Sequence, residues 1–120
     1  MKFPATRRIR RRSEFARVRT KGKSISGRFL VMGYLKDESL DEPVKLGLIT
    51  TKKLGNAVVR NRVRRKLRGI LQRNGERIVP GYWMVLIARK AAADATSDQL
   101  EKEWKWMLHR IGMIQQEVAG

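Results

Sequence analysis

Between Leu54 and Gly75 the chain reads LGNAVVRNRVRRKLRGILQRNG, and this segment limits the possible folds more than any other. At about 100° per residue, Val59, Val63, Leu67, Ile70 and Leu71 fall within an arc of about 120°, the width of a stripe that packs on a core. Asn61, Arg62, Arg64, Arg65, Lys66 and Arg68 cover the rest of the circumference. Such a helix has one flank that must be buried and another that cannot be. Asn56 or the preceding Gly55 suits its start and Asn74-Gly75 its end, so it is predicted to be the longest helix of the chain.

The cationic flank also calls for a partner. Six of the nine residues from Arg60 to Arg68 are Lys or Arg, and five of those six are Arg. Like charges three or four residues apart, such as Arg64 with Arg68 or Arg62 with Lys66, destabilise an isolated helix by roughly a few tenths of a kcal/mol per pair. No acid intervenes to relieve them. Phosphate would turn this repulsion into attraction, and the planar guanidinium fork suits bidentate phosphate contacts. The free amides and partial positive charge of the helix start near Asn56 suit a further phosphate.

The rest of the composition agrees. In 120 residues, 28 Lys+Arg stand against 11 Asp+Glu, a formal net charge of +17. Nucleic acid is the first candidate for a polyanion partner, because its phosphates exchange condensed counterions for Lys and Arg. A membrane surface is disfavoured, since each helical apolar face is needed for the core and no apolar run approaches the roughly 18 residues of a span. The absence of cysteine excludes disulfides, thiolate nucleophiles and cysteine-ligated zinc. The opening MKFPATRR lacks the apolar core of a secretory signal, so a soluble, cytoplasmic protein is expected.

A single domain over residues 1–120 is predicted, with residues 1–12 a flexible basic arm. Residues 1–23 hold ten Lys or Arg and one acid, Glu14. Ser13 is a candidate cap for a helix of at most two turns carrying Phe15 and Val18, with Gly22 as its stop. RFLVMGYL (Arg28 to Leu35) and VKLGLITT (Val44 to Thr51) read as an antiparallel strand pair joined by a polar connection. The acids of that connection, Asp37, Glu38, Asp41 and Glu42, match no calcium-loop spacing and read as a solvated turn. YWMVLIAR (Tyr82 to Arg89), after Pro80-Gly81, is apolar at almost every position and should be a strand covered on both faces. Thr96 and Gln99 have capping-box spacing ahead of Leu100, Trp104, Met107, Leu108, Ile111 and Ile114, which repeat at helical intervals. Strands and helices in this order make an α+β sandwich.

Chemistry carried by the protein itself is poorly provided for. His109 is the sole histidine and reads as a surface or helix-end residue. No HExxH pattern or Walker-type loop occurs. Glu101 and Glu103, near Lys102 and Lys105, look like an exposed helix face. Trp83 and Trp104 read as core, whereas Trp106 falls off the apolar face. Phe15, among arginines, either anchors its short helix to the sheet or stacks an unpaired base.

KLGNAVVRNRVRRKLR (Lys53 to Arg68), preceded by GLITTK and followed by LIARK (Leu86 to Lys90), resembles the ribonuclease P protein subunit. The likeness runs from about Arg7 to Ile114. It implies an α-β-β-β-α-β-α fold, ribosomal-protein-like, with a mixed sheet and a left-handed βαβ crossover. It also implies a holoenzyme in which a catalytic RNA removes the 5′ leader of precursor transfer RNA, with Mg2+ held mainly by the RNA. On matching positions, Arg60, Asn61, Arg62, Arg64, Arg65 and Arg68, with Lys52, Lys53 and Asn56, would hold the RNA. Phe15, Arg12, Arg19, Arg89 and Lys90 would form the leader cleft, with Lys52 and Lys53 flanking that path. One protein per RNA is expected, and no residue of the chain is expected to be catalytic. Two positions depart from the family: Arg19 stands where a second aromatic is common, and Gly33, beside Tyr34, where the first long strand carries one. A ribosomal or other structural RNA-binding protein is the alternative. A DNA reader is weaker, because a short helix-turn-helix partner for the arginine helix is missing.

Overall fold

A computed structural model of the chain describes residues 9, 12–36, 44–74 and 82–112. The elements follow in the order α1 (Arg12–Lys21), β1 (Lys23–Ser26), β2 (Leu30–Lys36), β3 (Val44–Ile49), α2 (Ala57–Asn74), β4 (Tyr82–Ala88) and α3 (Ser97–Ile111). Short 3-10 turns, Lys52–Leu54 and Lys90–Asp94, lead into α2 and α3. The predicted α-β-β-β-α-β-α order is therefore present. Most of the basic arm, the acid connection, Gly75, Pro80-Gly81 and Ile114 lie outside the described residues.

The strands form one mixed sheet in the order β1-β2-β4-β3. β4 is antiparallel to β2, with Leu30 opposite Ala88 and Lys36 opposite Tyr82, and parallel to β3, with Val44 opposite Tyr82 and Ile49 opposite Ile87. This corrects the expected β2–β3 pair: the two run in opposite directions, but β4 lies between them. The reason is burial. The YWMVLIA sequence of β4 is apolar on both faces and is stabilised most by a central place, whereas β2 satisfies its outer edge with the short β1. The parallel β3–β4 pair requires a crossover connection, and α2 supplies it.

The two sheet faces carry separate clusters. Leu30, Met32, Leu46, Met84, Leu86 and Ala88 point toward α2 and α3, where Val63, Leu67, Ile70, Leu71, Leu100, Trp104, Met107 and Leu108 close the main core. On the opposite face, Trp83 and Val85 are buried with Val18 of α1 and with Ile9. The predicted stripe of α2 is thus confirmed, with Val59 half-buried at its edge. Burying each large aliphatic side chain stabilises by about 1.5–3 kcal/mol, which outweighs the like-charge repulsion on the other flank.

Helix ends follow the sequence signals with one exception. The Asn56 side chain accepts from the Val59 amide at 3.0 Å. Thr96 and Gln99 form the reciprocal box, at 3.1 and 2.9 Å, and Gly112 closes α3 in the left-handed region at φ 74°. Ser13, however, lies inside α1 rather than capping it, and α1 has ten residues, more than the two turns expected. Docking against the sheet through Val18 supports the added length, because a short helix persists through packing.

Candidate nucleic-acid interface

The outer flank of α2 carries the densest positive charge in the described structure. Asn61, Arg62, Arg65 and Arg68 are exposed, while Arg60, Arg64 and Lys66 are half-buried at its margins. Three of these cations are steadied by neutral oxygens: Arg64 Nη2 donates to Thr50 Oγ1 at 2.6 Å, Lys66 Nζ to the Ala95 carbonyl at 2.9 Å and Arg62 Nη2 to the Ala93 carbonyl at 3.4 Å. Among the described residues none of the six cations from Arg60 to Arg68 is in an ion pair; on this helix only Arg73, beyond the cluster, meets an acid. The flank is a preformed row of donors whose positive charge is uncompensated. Lys52 and Lys53 are exposed just ahead of it, on the 3-10 turn that ends at buried Leu54, and Asn56 caps its start.

A groove of about 460 Å³ opens on the other face of the sheet, between α1 and the strands. Phe15 and Arg19 line one side, Lys23 and Ser24 the end, and Gly33 and Ile87 part of the floor. The Phe15 ring rests on Gly47, where an added Cβ would stand 2.7 Å from a ring carbon. Phe15 therefore anchors α1 on the sheet and also lines the groove. Strand alternation settles the neighbouring departure. Val31 and Gly33 face the groove, while Tyr34 packs against the main core on the far side. No strand aromatic enters from β2, and a Cβ at Gly33 would meet Val18 at 3.4 Å and the Lys23 carbonyl at 4.0 Å, both ordinary contacts.

The remaining predicted groove residues stand apart from its lining. Arg12 is exposed at the start of α1. Arg89 follows Ile87 by two residues and is exposed; its Nη1 donates to the Gly27 carbonyl at 2.7 Å and its amide to the Phe29 carbonyl at 2.8 Å. Lys90 begins the next 3-10 turn, which packs against the Lys52–Leu54 turn, so Lys52, Lys53, Arg89 and Lys90 share one end of the sheet. Sequence reasoning missed Lys23 and Ser24. Their signal is position alone, directly after the Gly22 that ends α1.

The acids of α3 are not the exposed face expected of them. Glu101 accepts from Arg73 at 2.6 Å and lies 3.4 Å from Lys105. The hydrogen bond from Arg73 holds its carboxyl below the usual carboxylate range, against the opposing effect of burial. Glu103 is half-buried and accepts three successive amides, from Arg28, Phe29 and Leu30, at 2.5, 2.9 and 2.8 Å. A Cβ at Gly27 would overlap that carboxyl group. His109 is exposed in the last turn of α3. Among the described residues no three His, Cys, Asp or Glu side chains converge as metal ligands.

A family model described as Ribonuclease P matches residues 3–112. The ribonuclease P protein component of Symbiobacterium thermophilum is 36% identical over 110 residues, covering 92% of this chain and 95% of that protein. That of Clostridioides difficile is 37% identical over 111 residues, covering 92% and 96%. Among solved structures, the RNase P protein of Staphylococcus aureus superposes with a TM-score of 0.82 at 28% identity, covering 91% of this chain and 98% of that one. The RNase P protein of Thermotoga maritima gives 0.76 at 27% identity, covering 86% and 96%.

Proposed function

The chain belongs to the ribonuclease P protein family, and from that premise we propose a division of labour in which this protein holds RNA while its RNA partner performs the cleavage. It is a component of an endoribonuclease complex, and its partner is the ribonuclease P RNA. The ribosomal alternative is not favoured by the relatives. In the proposed arrangement, Arg60, Asn61, Arg62, Arg64, Arg65 and Arg68 grip the catalytic RNA. Lys52, Lys53 and Asn56 extend that grip past the start of α2. The observation that supports this most is the uncompensated charge of the α2 flank.

The substrate is precursor transfer RNA, whose single-stranded leader runs through the groove beside α1. Phe15 offers it a stacking surface and Arg19 a cation, with Arg12, Arg89 and Lys90 toward the ends of the path. Holding the leader and the catalytic RNA on opposite faces of one sheet orders the two for reaction. In this reading Mg2+ is held mainly by the RNA, whose phosphate oxygens are the hard ligands that ion prefers. The complex acts in the cytoplasm, with one protein per RNA.

Reconstitution with a bacterial ribonuclease P RNA at low magnesium tests the proposal. The wild type should restore cleavage of a precursor transfer RNA, and an Arg65→Ala, Arg68→Ala double substitution should need more protein or more magnesium for the same rate. Cleavage by the protein after stringent removal of RNA would refute the division of labour.

A further inference from the structure

We propose that the outward face of α3 is a second surface for the ribonuclease P RNA, on which Trp106 stacks against one of its unpaired bases while Lys102 and Arg110 hold the adjoining phosphates. This goes beyond the arginine flank and the leader groove, because it uses a different helix and none of their residues.

Three observations carry it. The first is exposure: Trp83 and Trp104 are 6% and 0% exposed, whereas Trp106 is 50% exposed and plays no part in either core cluster. An exposed indole flanked by cations, on a helix whose complete apolar face lies elsewhere, offers a base a surface to stack on. The second is charge. Lys102 and Arg110 lie one turn before and one turn after Trp106 on the same face, about 6 Å of rise each way, and both are exposed. The neighbouring carboxylates are engaged elsewhere, Glu101 by Arg73 and Lys105, and Glu103 by the amides of residues 28–30. Among the described residues no acid pairs with Lys102 or Arg110. Asp98, the remaining acid of α3, lies two turns before Trp106, about 12 Å along the axis, and one turn before Lys102, with which it forms no ion pair. Cation, aromatic ring and cation in a row complement a base with phosphates on either side.

The third is continuity. α2 and α3 lie side by side on one face of the sheet, joined by Arg73 to Glu101 and by Lys66 to the Ala95 carbonyl. Packed helix axes are about 8–10 Å apart. An RNA resting on the arginine flank of α2 reaches Trp106 without leaving the surface of that helical layer.

The test is binding of the full chain to ribonuclease P RNA alone and to a precursor transfer RNA alone. Trp106→Ala should weaken binding to the ribonuclease P RNA about tenfold and leave binding to the precursor transfer RNA unchanged. Trp106→Phe, which keeps an aromatic face, should recover most of the loss. The ribonuclease P RNA should also shield Trp106 emission from a soluble quencher. A Lys102→Ala, Arg110→Ala double substitution keeps the test independent of any folding defect in Trp106→Ala. It should lower the log-log salt slope by about 1.4 if both cations neutralise single-strand phosphates. Equal affinities of all variants for the ribonuclease P RNA would overturn the proposal, as would a loss confined to the precursor transfer RNA. So would a Trp106-dependent dimer in sedimentation with RNA affinity unchanged, since the ring would then serve a second copy of the chain.

Discussion

Single side chains set the shape of the groove. Gly47 gives Phe15 its seat, and any larger residue there must push the ring or Ile9 aside. Gly47→Val should therefore destabilise by about 1–3 kcal/mol. It should also reduce the extra affinity conferred by a 5′ leader while leaving binding to leaderless RNA nearly intact; equal losses for both would disconnect Phe15 from the leader. Glu103 is the other residue on which local geometry turns. It ties α3 to the β1–β2 turn and, through Gly27, to the Arg89 side chain. Replacing it by Ala strands three amides, and urea unfolding should register a loss of about 2 kcal/mol. Neither role was legible in the sequence. Glu103 has lysines as chain neighbours, but its actual partners lie 73 to 75 residues away. Phe15 could be narrowed to anchor or stacking ring, and the structure adds that it seats on Gly47 of β3 and lines the groove.

At the level of elements, legibility followed periodicity. α2 and α3 were readable because an apolar stripe repeats over many turns and each start carries a capping side chain. β4 was readable as doubly covered from its unbroken apolar run. The strand order was not, because alternation tells which face a residue serves and nothing of which strand lies beside it. β1, with four residues and Ile25 alone packing on the core, leaves too short a pattern to register. The α2–α3 contact also has a pH signature. Arg73 holds the Glu101 carboxyl below its ordinary value of 4.5. The contact therefore contributes fully above that value and fades as pH falls through the lower folded value. Glu101→Gln should lower stability at neutral pH and flatten its decline below about pH 4.5; an unchanged slope in acid would show that the pair contributes nothing.

Across the whole molecule, a net charge of +17 on 120 residues is distributed with a purpose. The sheet separates the arginine flank of α2 on one layer from the groove beside α1 on the other. Composition alone led to nucleic acid, and the RNR segment led to the family. The position of the groove relative to the flank needed the sheet topology. The central claim, that α2 binds by replacing counterions on RNA phosphates, is tested most directly by the salt dependence of binding to ribonuclease P RNA. Arg65→Ala with Arg68→Ala should reduce the log-log slope by about 1.8, two phosphates at roughly 0.9 each on a duplex site. A slope equal to that of the wild type, at any affinity, would contradict the account.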